Sequence, residues 1–154
     1  MAKKEFKIAY EIYSSVEDLS SEDRNLVRQA MKARESAYAP YSSFRVGAAV
    51  RLSDGRVFTA SNQENSAYPS GMCAERVALY AAHAALNDAY IQDLAVVGGE
   101  GDTLSEEPVC ACGACLQVLK EFESQQPVNV LYVGQREVLK IQGVRNLLPF
   151  AFTK

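Results

Sequence analysis

Leu94-Ala95-Val96-Val97-Gly98, then Cys112-Gly113-Ala114-Cys115 running on to about Glu123, then Val128-Asn129-Val130-Leu131-Tyr132-Val133 reads as strand, helix, strand. Two short apolar runs flanking a helical segment predict parallel strands joined by a crossover helix. The central helix opens on a Cys-x-x-Cys. Upstream, Cys73 to about Asn87 is Ala-rich and helical, and it opens on Cys73-Ala74-Glu75-Arg76. A helix N-terminus carries free N–H groups and partial positive charge, and thiols placed there lose protons more readily. Two such helices facing one another could bring three thiolates to one metal ion.

The chemistry follows from the residue types. Cys73, Cys112 and Cys115 can hold one Zn²⁺ and leave its fourth position open to water. Glu75 is not needed as a ligand and sits where a general acid and base would sit. Three thiolates on Zn²⁺ leave the site net negative, so positive compensation is useful. Arg76, three residues after Cys73 on the same helix, is expected to donate to sulfur. Two plainer readings stand beside this one. Cys110 could join the other three in a closed structural Cys₄ site, or the thiols could pair as disulfides. His83, the only histidine, reads as a surface or packing residue.

Further out, Phe44–Leu52 and Arg56–Ser61 are strand-like, and Asp54-Gly55 marks the hairpin between them. Ser20-Ser21-Glu22-Asp23 predicts the start of a helix that runs to about Ser36. In residues 4–13, Phe6, Ile8, Tyr10 and Ile12 alternate onto one face, which predicts an added strand. Gly98-Gly99-Glu100-Gly101 reads as a turn. There is no repeat and no linker. A chain of 154 residues is expected to form a single domain, 1–154, with residues 1–19 as an N-terminal extension.

Composition narrows the function. The chain is 48% hydrophobic and 23% charged, with a formal net charge of −3 and no basic run longer than Lys3-Lys4. A polynucleotide would need a basic track, so no nucleic-acid partner is expected. No apolar stretch is long enough to span a bilayer, and no signal-peptide core follows Met1. No membrane association and a cytoplasmic location are therefore expected. In a reducing compartment, clustered cysteines read first as metal ligands.

Several ordered segments carry a family resemblance. Tyr38-Ala39-Pro40-Tyr41-Ser42-Ser43-Phe44-Arg45-Val46-Gly47-Ala48-Ala49, Asn62 through Arg76, Cys112-Gly113-Ala114-Cys115-Leu116-Gln117 and Leu147-Leu148-Pro149-Phe150-Ala151-Phe152 resemble the motifs of the small zinc-dependent cytidine deaminases. The resemblance spans about residues 20–152. It implies a three-layer α/β/α sandwich with a five-stranded mixed sheet, a homotetramer and one Zn²⁺ per chain. It implies Cys73, Cys112 and Cys115 as ligands and Glu75 as proton shuttle. It also implies Asn62 and Glu64 on the ribose hydroxyls of a nucleoside and Phe44 on the pyrimidine ring. Backbone at Ala74 and Cys112 would hold the base, and Tyr68 and Phe152 would reach sites across subunit boundaries. The implied activity is hydrolytic deamination of cytidine or deoxycytidine in pyrimidine salvage. A deaminase of a modified cytosine nucleoside such as blasticidin S, or a zinc-stabilised protein without activity, are the alternatives. Three departures stand out: the family usually has Ser-Pro where this chain has Cys110-Ala111, and Arg where it has Leu116.

Overall fold

A computed structural model describes residues 1–153. Six strands form one mixed sheet: β1 Glu11–Tyr13, β2 Phe44–Leu52, β3 Val57–Ser61, β4 Ile91–Glu100, β5 Asn129–Val133 and β6 Val138–Gln142, in spatial order β1-β6-β5-β4-β2-β3. Three α-helices cover it: α1 Ser21–Arg34, α2 Ala74–Ala84 and α3 Gly113–Phe122. The β4–β5 pair is parallel and every other pairing is antiparallel. The crossover expected between them is α3.

Alternation along the strands builds two cores. Ala48, Val50, Leu94, Val96, Val130 and Tyr132 face α2 and α3, while Ala49, Ala95, Val97, Leu131 and Val133 face α1. Because successive strand side chains point to opposite faces, a sheet covered on both sides must be apolar at nearly every position. That gives the three-layer sandwich. Ser20 caps α1 by accepting a hydrogen bond from the Asp23 N–H, as its sequence context requires. α1 lies so close to β2 that a Cβ on Gly47 would stand 2.1 Å from the Ala30 carbonyl oxygen.

Two expectations need correction. The sheet has six strands, not five, because β1 of the N-terminal extension adds to the free edge of β6. The added strand covers only Glu11–Tyr13, not 4–13. Its partner β6 is itself short and the chain turns away at Gly143, so the earlier residues have little strand to join. The second correction concerns Gly98 and Gly99, which lie within β4 rather than in a turn. A Cβ on Gly99 would come within 2.0 Å of the Thr103 carbonyl oxygen, so glycine here lets the following loop fold back onto the strand.

Candidate active site

The N-termini of α2 and α3 meet at one end of the sheet. Cys73 is the N-cap of α2 and Cys112 the N-cap of α3, and neither thiol makes a capping hydrogen bond to its own helix. Cys115 follows one turn into α3 and is buried. The three sulfur atoms lie within 4.8 Å of one another, and Cys112 and Cys115 are 3.5 Å apart. Tetrahedral zinc with Zn–S bonds of about 2.3 Å requires sulfurs roughly 3.8 Å apart, so the trio fits the ion. Cys110 is outside this group; its exposed thiol points to the Pro108 carbonyl at 3.9 Å. A closed four-cysteine centre is therefore not what the fold gathers.

Electrostatics at the thiols are coupled. The Cys73 thiol is drawn down to about 5, first by a hydrogen bond from Cys115 and then by the Arg76 guanidinium. Cys115 is pushed up correspondingly, because it supplies that hydrogen. Arg76 Nη2 donates to Cys73 Sγ at 3.7 Å. Leu116 is buried.

Glu75, in the first turn of α2, is only 5% exposed. Burial, reinforced by the Cys73 charge, holds its carboxyl above the usual carboxylate range. It lines a cavity of about 650 Å³ together with Cys73, Cys112 and Ala74. A pocket of this size suits a small organic ligand.

The opposite wall comes from the loop after β3. Two isolated bridges, Tyr38 with Gln63 and Gln63 with Met72, pin this loop between the end of α1 and the start of α2. Asn62 spans two backbone groups of β2: its Oδ1 accepts from the Val46 N–H at 2.8 Å and its Nδ2 donates to the Phe44 carbonyl at 2.9 Å. Glu64 accepts from the Tyr41 N–H at 2.8 Å, the Ser42 N–H at 3.3 Å and the Ser42 hydroxyl. The Ser42 hydroxyl, followed by these N–H groups, keeps its carboxyl below the ordinary range and ionised.

The fold thus brings Cys73, Cys112, Glu75, Ala74, Arg76, Asn62, Glu64 and Tyr68 to one cavity. Phe44 is not on its wall among the described residues; β2 contributes Val46, and the Phe44 ring packs beside Gly98. Tyr68 is 78% exposed at the rim, edge-on to Tyr41. Phe152 is 73% exposed and away from the cavity, its backbone N–H and carbonyl both bonded to the Gln117 side-chain amide. The role of Tyr41 and Ser42 as the cradle of Glu64 needs the fold. Val109 on the far wall carried no sequence signal at all.

A three-layer α/β/α fold, with three thiols at facing helix N-termini and a buried carboxylate beside them, defines a zinc-dependent deaminase class. The chain belongs to the family described as the cytidine and deoxycytidylate deaminase zinc-binding region, whose model matches residues 20–131. It is 40% identical over 131 residues to the cytidine deaminase of Halalkalibacterium halodurans, covering 83% of this chain and 92% of that one. It is 42% identical over 132 residues to the cytidine deaminase of Sporosarcina psychrophila, covering 84% and 90%. The crystal structure of cytidine deaminase from Burkholderia pseudomallei superposes with a TM-score of 0.71 at 39% identity, over 83% of this chain and 97% of that one. Zinc is the cofactor of the family's domain, and the thiol trio could hold one ion. Among the described residues, no helix is long and apolar enough to cross a membrane.

Proposed function

We propose that this protein is a zinc-dependent cytidine and deoxycytidine deaminase, converting the nucleoside and water to uridine or deoxyuridine and ammonia. The observation that carries the reading is the convergence of the Cys73, Cys112 and Cys115 sulfurs, with Cys73, Cys112 and buried Glu75 lining one cavity. Zinc held by the three thiolates supplies Lewis acidity that makes water nucleophilic at neutral pH.

Glu75 does the proton work. Its carboxylate takes a proton from the attacking water as the C4–O bond forms, and delivers it to ring N3. It then assists protonation of the departing amine as the C4–N bond breaks. Backbone at Ala74 and Cys112 holds the base. Val46 and Val109 are assigned to the apolar wall beside the pyrimidine ring; the resemblance would put Phe44 on the ring's face, although its side chain packs beside Gly98, off the cavity wall.

Asn62 and Glu64 are assigned to the ribose hydroxyls. Both are pre-oriented by their backbone partners, so little side-chain freedom is lost when a sugar binds. The exposure of Tyr68 and Phe152 supports a homotetramer in which they reach neighbouring sites; light scattering on the purified protein tests it. The free thiols that the metal site needs suit a reducing cytoplasm and a role in pyrimidine salvage.

The deciding experiment is turnover of cytidine and deoxycytidine by the zinc-loaded protein. Uridine or deoxyuridine and ammonia should appear in equal amounts. A zinc-loaded, folded protein that deaminates neither nucleoside overturns the proposal.

A further inference from the structure

Arg34, the last residue of α1, keeps its charge inside the protein and is only 8% exposed. Among the described residues, every hydrogen bond its guanidinium makes goes to a backbone carbonyl. Nε donates to Arg45 at 3.1 Å, Nη1 to Asp102 at 3.3 Å, and Nη2 to Gly101 at 2.8 Å and to Thr103 at 2.7 Å. Burying a cation against carbonyl dipoles alone is costly, and it calls for a reason.

The carbonyls it gathers belong to two segments far apart in the chain. Arg45 is the second residue of β2, and Gly101, Asp102 and Thr103 follow β4. Gly101 in turn donates its N–H to the Ser43 carbonyl at 2.9 Å. Arg34 thus brackets Ser43 and Phe44 from both sides: directly at the Arg45 carbonyl, and through Gly101 at the Ser43 carbonyl. Ser43 has φ of 57°, in the left-handed region. A residue with a Cβ rarely adopts that conformation, and it persists only where the surroundings impose it. The next residue back is Ser42, whose N–H and hydroxyl both donate to Glu64. Relaxation at Ser43 would turn these donors away from the carboxylate.

We propose that Arg34 is a positioning residue for the sugar end of the cavity: by fixing the Gly101 and Arg45 carbonyls it locks the Ser43 turn, and the turn aims Glu64 through Tyr41 and Ser42. The inference rests on Glu64 being a ribose ligand. The metal end is fastened separately. The Ser105 N–H donates to the Gly98 carbonyl at 2.9 Å, and the Gln135 and Arg136 N–H groups donate to the Ser105 and Glu106 carbonyls at 3.0 and 3.1 Å. The segment that runs on to Cys112 therefore has its own anchors.

The test is steady-state kinetics with cytidine on the zinc-loaded protein. Arg34→Met keeps an aliphatic stem and removes all the donors. KM should rise about 2–13-fold, the worth of the one net hydrogen bond that Glu64 supplies, with kcat and zinc content near parental. Arg34→Lys keeps the charge but not the fan of donors, so its KM should fall between the two; it carries the test if the methionine variant does not fold. In a Glu64→Ala background, Arg34→Met should add less than about twofold, because the group it positions is gone. Arg56→Ala is the control for lost stability: it strips bonds to the Ala85 and Leu86 carbonyls beyond the C-terminus of α2, and should leave KM parental. Parental KM in the Arg34 variants, fully multiplicative effects with Glu64→Ala, or an equal rise in Arg56→Ala each overturns the proposal. Parental KM in Glu64→Ala is the separate result that would overturn the ribose reading beneath it.

Discussion

Arg76 Nη2 stands 3.7 Å from Cys73 Sγ, one turn along the same helix. Residues three apart on a helix are neighbours, so α2 presents the thiol and its counter-charge as one unit. Arg76 Nε is buried and without a partner among the described residues, so the guanidinium is not satisfied by Cys73 alone. Arg76→Gln should fold but hold zinc more weakly, by about 10-fold, the lower end of what loss of a group bonded to a metal ligand costs. Competition with a chelator of known zinc affinity measures this, and parental affinity would remove Arg76 from the metal site.

Glu75→Gln should retain zinc and lose turnover. The amide matches the carboxylate in shape and cannot carry the proton. Loss of a general acid and base is typically worth ~10²–10⁴-fold in rate, and the effect should reach the upper end because one group serves several steps. Steady-state kinetics with cytidine, alongside metal content, separate a lost proton shuttle from a lost metal. Near-parental turnover would refute the role.

The cysteines should divide into two classes. Cys112→Ala breaks the trio whose sulfurs lie within 4.8 Å, and should lose both zinc and activity. Cys110→Ala changes an exposed thiol outside the trio, and should keep both. Zinc per chain by elemental analysis decides it; metal loss in Cys110→Ala would favour a four-cysteine centre.

Asn62→Ala and Glu64→Ala should differ from each other. Glu64→Ala removes a carboxylate cradled by Tyr41 and Ser42, and should raise KM for the nucleoside by about 2–13-fold, the worth of one net hydrogen bond. Asn62→Ala additionally strips partners from the Val46 N–H and the Phe44 carbonyl, so it should also lower stability by about 1–3 kcal/mol. Thermal melts beside kinetics distinguish the two. Parental KM in both variants would defeat the ribose assignment.

Where local chemistry governs, structure was legible in the chain itself. Phe44–Leu52 is the strand its apolar run implied, and Ser20 caps the helix its neighbours announce. Cys73 and Cys112 open α2 and α3, as the helical segments that follow them implied. The resemblance to the cytidine deaminases rests on the same local motifs.

What the tertiary structure decided is of another kind. Whether three thiols form one site depends on two helices, separated along the chain, ending at the same place. The exclusion of Cys110 depends on the direction its loop takes. Gly98 and Gly99 look like a turn locally but extend β4, because the next loop must pass within a methyl group's breadth of the strand. Residues 4–10 alternate like a strand yet lie outside the sheet, and β6 runs only two residues beyond Lys140, the partner of Glu11. Spacing along the chain records what a residue can do within its own turn or pleat. Contact between elements depends on how the sheet and helices pack, and only the folded chain settles that.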